Sequence, residues 1–299
     1  MNIIAQNRTK GRTFGMHNVS TCENINDVLG LLNVGDYSQR AIPDVCEGYS
    51  VISDDFGKPV SIVSETYDLL QPLECFGFMD MLQSQLGFKY TEAGFTHEGK
   101  RMAIVAECGE MTVGDPKVGD VIKKRLVAKT SFDGSISTHI NLELYRLWCS
   151  NGCGNWIQGD IKIRARHSKN QRNILTENIN EATGINNIFM KMQEDANLMT
   201  SRKITRNDAI KVIADVVPND TTRSENTRWQ IMSEFENHER GTFGNTAWDL
   251  FNAFTAYRNH EQPSREGKNR TREETKFHNI GDNRFVRKIR KSMETQLSL

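Results

Sequence analysis

The chain has 299 residues, with 37% hydrophobic and 25% charged side chains and 38 basic residues against 38 acidic, a formal net charge of zero. That composition is globular on the polar side, and a zero balance points to neither nucleic acid nor membrane, so local charge has to decide. The opening residues lack the apolar run of a secretory signal, and no apolar stretch approaches the roughly 18 residues of a membrane helix, which predicts a cytoplasmic protein. The six cysteines, at 22, 46, 75, 108, 149 and 153, are scattered, as free cytosolic thiols would be.

Residues 1–20 carry Arg8, Lys10, Arg12 and His17 and read as an arm or a weakly anchored strand. Ile25, Val28, Leu29 and Leu32 fall at helical spacing. Two β-rich runs, 49–52 and 60–63, flank Asp-Asp-Phe-Gly-Lys-Pro and predict a hairpin. Pro72 suits a first helical turn, Leu73, Phe76, Met79, Leu82 and Leu86 keep the period, and Gly87 ends one continuous helix.

The period then changes to two. Strands are predicted over 88–95, 100–108, 120–132 and 135–144, the last pair joined by the hairpin signal Asp133-Gly134. Beyond about residue 170 the strand signals fade. Amphipathic helices follow over 176–200, 204–217, 227–240 and 245–260, with Thr205 and Asp208 as a capping pair. The order predicts an α+β fold: an antiparallel sheet with a packed helix in the N-terminal half and a helical C-terminal half. The chain divides into an N-terminal arm and short helix (1–47), an antiparallel α+β core (48–170), a helical region (171–260), and a polar linker with a basic helix (261–299).

Chemistry concentrates between Ser131 and Asn170. Cys149 and Cys153, with Cys108, His139 or His167, offer zinc-type ligands, but C-x3-C without a second close pair is more economically a structural turn. Cys149, Cys153 or Ser150 beside His139 or His167 would suit a nucleophile, yet no surrounding catalytic motif is present. No phosphate-binding glycine loop occurs. Asp54, Asp55, Asp115, Asp120 and Asp160 sit in turns, where Asp is favoured for backbone reasons. The expectation is a non-catalytic protein without cofactor or metal. A nucleic-acid-processing enzyme using the Cys149/His167 region is the alternative.

The strongest signal is basic. Lys162, Arg164, Arg166, His167, Lys169 and Arg172 fall in a run without an acid. On a strand, Lys162, Arg164 and Arg166 would project from one face about 7 Å apart, with Ile161, Ile163 and Ala165 toward the core. Such a row suits a phosphate backbone. Lys123, Lys124, Arg125 and Arg146 extend the patch, and Tyr145, Trp148 and Trp156 offer stacking surfaces for unpaired bases. Near the C-terminus, Arg284, Arg287, Lys288, Arg290 and Lys291 make a basic amphipathic segment around Phe285 and Ile289, fit for nucleic acid, an acidic membrane, a partner groove or plain solvation. The predicted partner is single-stranded nucleic acid, with no membrane.

The segments VSETYDLLQPLECFGFMDML, AGFTHEGKRMAIVAE, KTSFDGSISTHINLELYRLWCSNG, IKIRARHS and GNTAWDLFNAFTAYRNH, in this order over about residues 48–260, resemble the phage- and plasmid-borne family of the domain of unknown function 932. Two departures stand out: Ser150-Asn151-Gly152 replaces an Asn-Thr pair, and Phe132 stands where His is common. The resemblance implies a mobile-element setting of recombination, replication or counter-defence. Helix, antiparallel meander and helix in succession are also similar to the core of single-strand annealing proteins of the Rad52 type, which form rings with single-stranded DNA in a basic groove. These likenesses imply a homo-oligomer in a host cell's cytoplasm that binds or anneals single-stranded DNA, with a counter-defence or host-takeover protein as the alternative.

Overall fold

Short runs of β-branched and aromatic residues alternating with polar ones build the first half into two antiparallel sheets. The computed structural model describes residues 15–114, 120–147, 154–165, 173, 184–218, 220–237, 244–258 and 284–299, and for Glu98, Asp120, 146–147 and 154–164 the backbone alone. The nine strands are β1 (Gly15–Asn18), β2 (Ser38–Ala41), β3 (Tyr49–Ser53), β4 (Pro59–Ser64), β5 (Lys89–Thr96), β6 (Arg101–Val113), β7 (Asp120–Ser131), β8 (Thr138–Leu147) and β9 (Gly154–Ala165). The larger sheet has the order β1-β5-β6-β7-β8-β9 and the smaller β2-β3-β4.

Eight helices are described: α1 (Ile25–Leu31), α2 (Pro72–Phe76), α3 (Phe78–Leu86), α4 (Ile185–Ser201), α5 (Arg206–Val216), α6 (Thr222–Glu236), α7 (Ala247–Ala256) and α8 (Arg284–Leu297). The architecture is α+β, strands first and helices dominating the second half, as the change of period predicts. The continuous helix expected over 72–86 is instead two. They meet at Gly77, where an added Cβ would lie 2.7 Å from the Leu73 carbonyl oxygen. Gly87, at φ 63, closes the second one in the left-handed conformation that favours glycine. Three strands outrun their expected ends by three residues or more, β6 reaching Val113, β8 reaching Leu147 and β9 starting at Gly154. The N-terminal segment supplies the edge strand β1, and residues 1–14 and 259–283 lie outside the described residues.

The period of two gives the large sheet opposite faces. From β7, Leu126 and Ala128 join Ile104, Ala106, Ile140, Leu142 and Leu144 in the main core, which runs from Val19 to Leu297 and takes in α2, α3, α4, α5 and α7. The other face carries Arg125, Val127 and Lys129. Val127 is buried there with Val105 and the partly buried Met16 in a small cluster of its own. The sheet is thus apolar on one side and polar on the other.

Candidate nucleic-acid interface

The register of β6, β7 and β8 lays out the polar face in rows. Ala103, Lys129 and His139 form one row, Val105, Val127 and Asn141 the next, and Glu107, Arg125 and Glu143 the third. β9 extends the first two, with position 164 opposite His139 and position 162 opposite Asn141. Lys162 and Arg164 therefore stand on the strand that the sequence predicts, at alternate positions, while Ala165 is fully buried.

The triplet Lys123-Lys124-Arg125 does not form one patch, because neighbours in a strand point to opposite faces. Lys123 donates from Nζ to Glu107 Oε2 at 2.9 Å, each side chain 25% exposed. Lys124, on the apolar side, lies 5.7 Å from the ring centroid of Phe189 on α4. Arg125 is 2% exposed. Its Nη2 donates to Glu92 Oε1 at 3.2 Å, and its guanidinium sits 4.2 Å from the centroid of Tyr145. A buried guanidinium needs such compensation, and losing one partner costs more than the pair contributes. Arg125 and Tyr145 thus hold the sheet together rather than offering a surface to phosphate or base.

Around them Lys129, Asn141 and Glu143 are also buried. The sequence reading missed Lys129 and all three acids, Glu92, Glu107 and Glu143. Counting by twos from Arg125 reaches Lys129, but the acids come from other strands and meet the cations only through the pairing. Backbone alone is described for Arg146, which pairs with Ile122, and for Trp156, which pairs with Tyr145. Arg166, His167, Lys169 and Arg172, together with Trp148, Cys149, Ser150 and Cys153, lie outside the described residues.

Other candidates have structural duties, while Asp120 and Asp160, described by backbone alone, stand on β7 and β9 rather than in turns, and Asp115 lies outside the described residues. Burial pushes the Cys108 thiol up to about 12, with Glu107 adding to the rise and Lys124 opposing it, so it is protonated near neutrality and a poor ligand or nucleophile there. His139 donates from Nδ1 to the Ser137 carbonyl at 2.7 Å. Asp54 Oδ1 accepts from the amides of Phe56 (3.0 Å) and Lys58 (2.9 Å), and Asp55 Oδ2 from Gly35 (2.9 Å), the backbone role expected of turn aspartates. Among the described residues no group of three His, Cys, Asp or Glu side chains could hold a metal ion. On α8, Arg287, Lys288 and Lys291 are exposed, whereas Arg290 donates to Asp195 Oδ2 at 2.6 Å.

Among the described residues no helix is long and apolar enough to cross a membrane. No curated protein and no solved structure matches the chain. A family model does: the one described as Domain of unknown function (DUF932) matches residues 59–279, from β4 through α7 and well over half the length, and the chain belongs to that family.

Proposed function

We propose that this protein binds single-stranded DNA through the β8–β9 side of the large sheet, as a strand-holding or annealing factor in the recombination or replication of a mobile element. One observation carries the reading: the register aligns Lys129, His139 and position 164 in one cross-strand row, and brings position 162 opposite Asn141 in the next. In this reading Lys162 and Arg164 contact phosphates, with Arg166, His167, Lys169 and Arg172 continuing the track. Lys129 lends positive potential from beneath and Lys123 stands at the margin, while Arg125, paired with Glu92, keeps its structural part. Backbone contacts of this kind neutralise charge and leave base edges open for a second strand. The likeness to Rad52-type annealing cores and the homo-oligomer belong to the same proposal.

Fluorescence anisotropy with a labelled oligothymidylate tests it across a salt series. Each phosphate contact contributes about 0.7 to the slope of log K against log salt for single strands. The double variant Lys162→Gln/Arg164→Gln should bind more weakly, with a slope shallower by about 1.4. No binding at low salt, or a slope unmoved by the double variant, would sink the reading.

A further inference from the structure

The turn between β5 and β6 packs against the one between β7 and β8. The Phe132 amide donates to the Lys100 carbonyl at 2.7 Å. Tyr37 braces both, donating from its hydroxyl to the Gly99 carbonyl at 2.9 Å and stacking on Phe132 with ring centroids 4.0 Å apart. At this corner stands Arg101, half-buried, the first residue of β6.

Its surroundings differ from those of the ion-paired cations and are closer to those of Arg202 and Lys203, which donate to the Leu297 and Gly244 carbonyls. Lys123, Arg125, Arg206, Arg228 and Arg290 each face a carboxylate. Arg101 instead donates from Nε to Ser135 Oγ at 2.8 Å and from Nη1 to His97 Nε2 at 3.3 Å, both neutral acceptors. Among the described residues no carboxylate pairs with it. Asp133, two positions before Ser135, directs Oδ1 to the Ser135 amide at 2.9 Å. A hydroxyl and an imidazole fix the plane of the guanidinium without neutralising it, and the donors they leave unused form a fork suited to an oxyanion.

His97 is set there at a cost. Its φ is 54, the left-handed region that a residue with a Cβ enters only when its surroundings hold it, and its ring spans Thr96 Oγ1 at 3.0 Å and Arg101. Because Nε2 accepts from Arg101, Nδ1 carries the ring proton and donates to Thr96. Lys100, half-buried on the same turn, adds a second positive charge without an ion pair among the described residues.

We infer that Arg101, His97 and Ser135 form a binding site for a phosphate group, with Arg101 as the bidentate donor. Free phosphate and a nucleic-acid backbone phosphate share that chemistry. The site goes beyond the polar-face reading and does not depend on it, since Lys162 and Arg164 take no part.

The test is a titration of the isotopically labelled full chain with inorganic phosphate at constant ionic strength, against chloride, following the His97 ring and the amides of His97 and Ser135 by NMR. A parallel arm uses the oligothymidylate. The expected result is saturable, phosphate-specific movement confined to this corner, with binding weaker by roughly tenfold or more in Arg101→Gln, the loss of a charge-assisted pair of bonds. Ser135→Ala and Arg101→Lys should weaken it less. These two variants decide the matter should Arg101→Gln fail to fold: unchanged binding in both overturns the site. No saturable movement, or equal movement with chloride, also overturns it. Oligonucleotide binding without any response at His97, and with none to phosphate, rejects this site and leaves the polar-face reading standing. A response to phosphate with no oligonucleotide binding keeps the site and rejects that reading.

Discussion

Asp80 joins three elements with one carboxylate. From α3 its Oδ1 accepts the Tyr90 hydroxyl of β5 at 2.6 Å and the Ile25 amide at the start of α1 at 3.0 Å, with Oδ2 at 3.3 Å from the same amide. That amide has no partner inside its own helix, and Tyr90 is fully buried. Asp80→Ala should therefore destabilise by about 2–3 kcal/mol, leaving a buried hydroxyl without its acceptor, while Tyr90→Phe costs about 1 kcal/mol. Urea titration checks the order, and equal costs would refute it. Burial first, then the hydrogen bond and charge of Asp80, raises the Tyr90 pKa, and burial raises that of Tyr67 as well. Raised folded values mean that this contribution is intact below the unfolded phenol's pKa of about 10 and is lost as pH climbs above it. Some of this scale is legible in sequence. Thr205 and Asp208 form the capping pair expected, and Thr205 N–H, with its hydroxyl, holds Asp208 below the usual carboxylate range. The same Thr-x-x-Asp spacing recurs at Thr246 and Asp249 as a buried capping box. Arg101 gives no sign of its setting, because His97 is local to it but Ser135 arrives through tertiary contact.

At the scale of elements, β1 depends on a missing side chain. It pairs with β5 with Met16 opposite Gly94, and a Cβ on Gly94 would fall 1.7 Å from the Gly15 carbonyl oxygen and 2.7 Å from its carbon. No rotamer change relieves a clash with backbone. Gly94→Ala should detach β1 while β5–β9 stay paired, seen as lost hydrogen-exchange protection at residues 16–18 and at the β5 amides that face β1. Protection retained at those amides would contradict it. Helices and long strands were readable because each repeats its period over several turns or pairs. β1 is legible only as an arm or a weakly anchored strand, since four residues of Gly-Met-His-Asn carry no alternation. The break at Gly77 was hidden because the apolar period runs straight through it. β9 is legible only from residue 161, because its first half, Gly154–Asp160, mixes glycine and polar residues that resemble a turn.

For the molecule as a whole, the smaller sheet bears on assembly. On its outer face Val51 pairs directly with Ile62, which is 63% exposed, and Tyr49, 45% exposed, stands one pair along. Solvent-exposed apolar pairs of this kind are a natural seat for a second copy in the oligomer proposed. Ile62→Asp should lower the solution mass measured by light scattering without altering the circular dichroism spectrum. An unchanged oligomer, or a monomer from the outset, would exclude that face. The strand order has a different consequence, for folding rate. β5 to β9 are neighbours in both chain and sheet, so each pairing closes a short loop and the meander can assemble quickly. β1 must instead wait for a partner some seventy residues away, across the whole of the smaller sheet and three helices. Until it docks, the nascent or refolding chain presents β5 as a bare edge, the interval in which two chains meeting edge to edge would join wrongly.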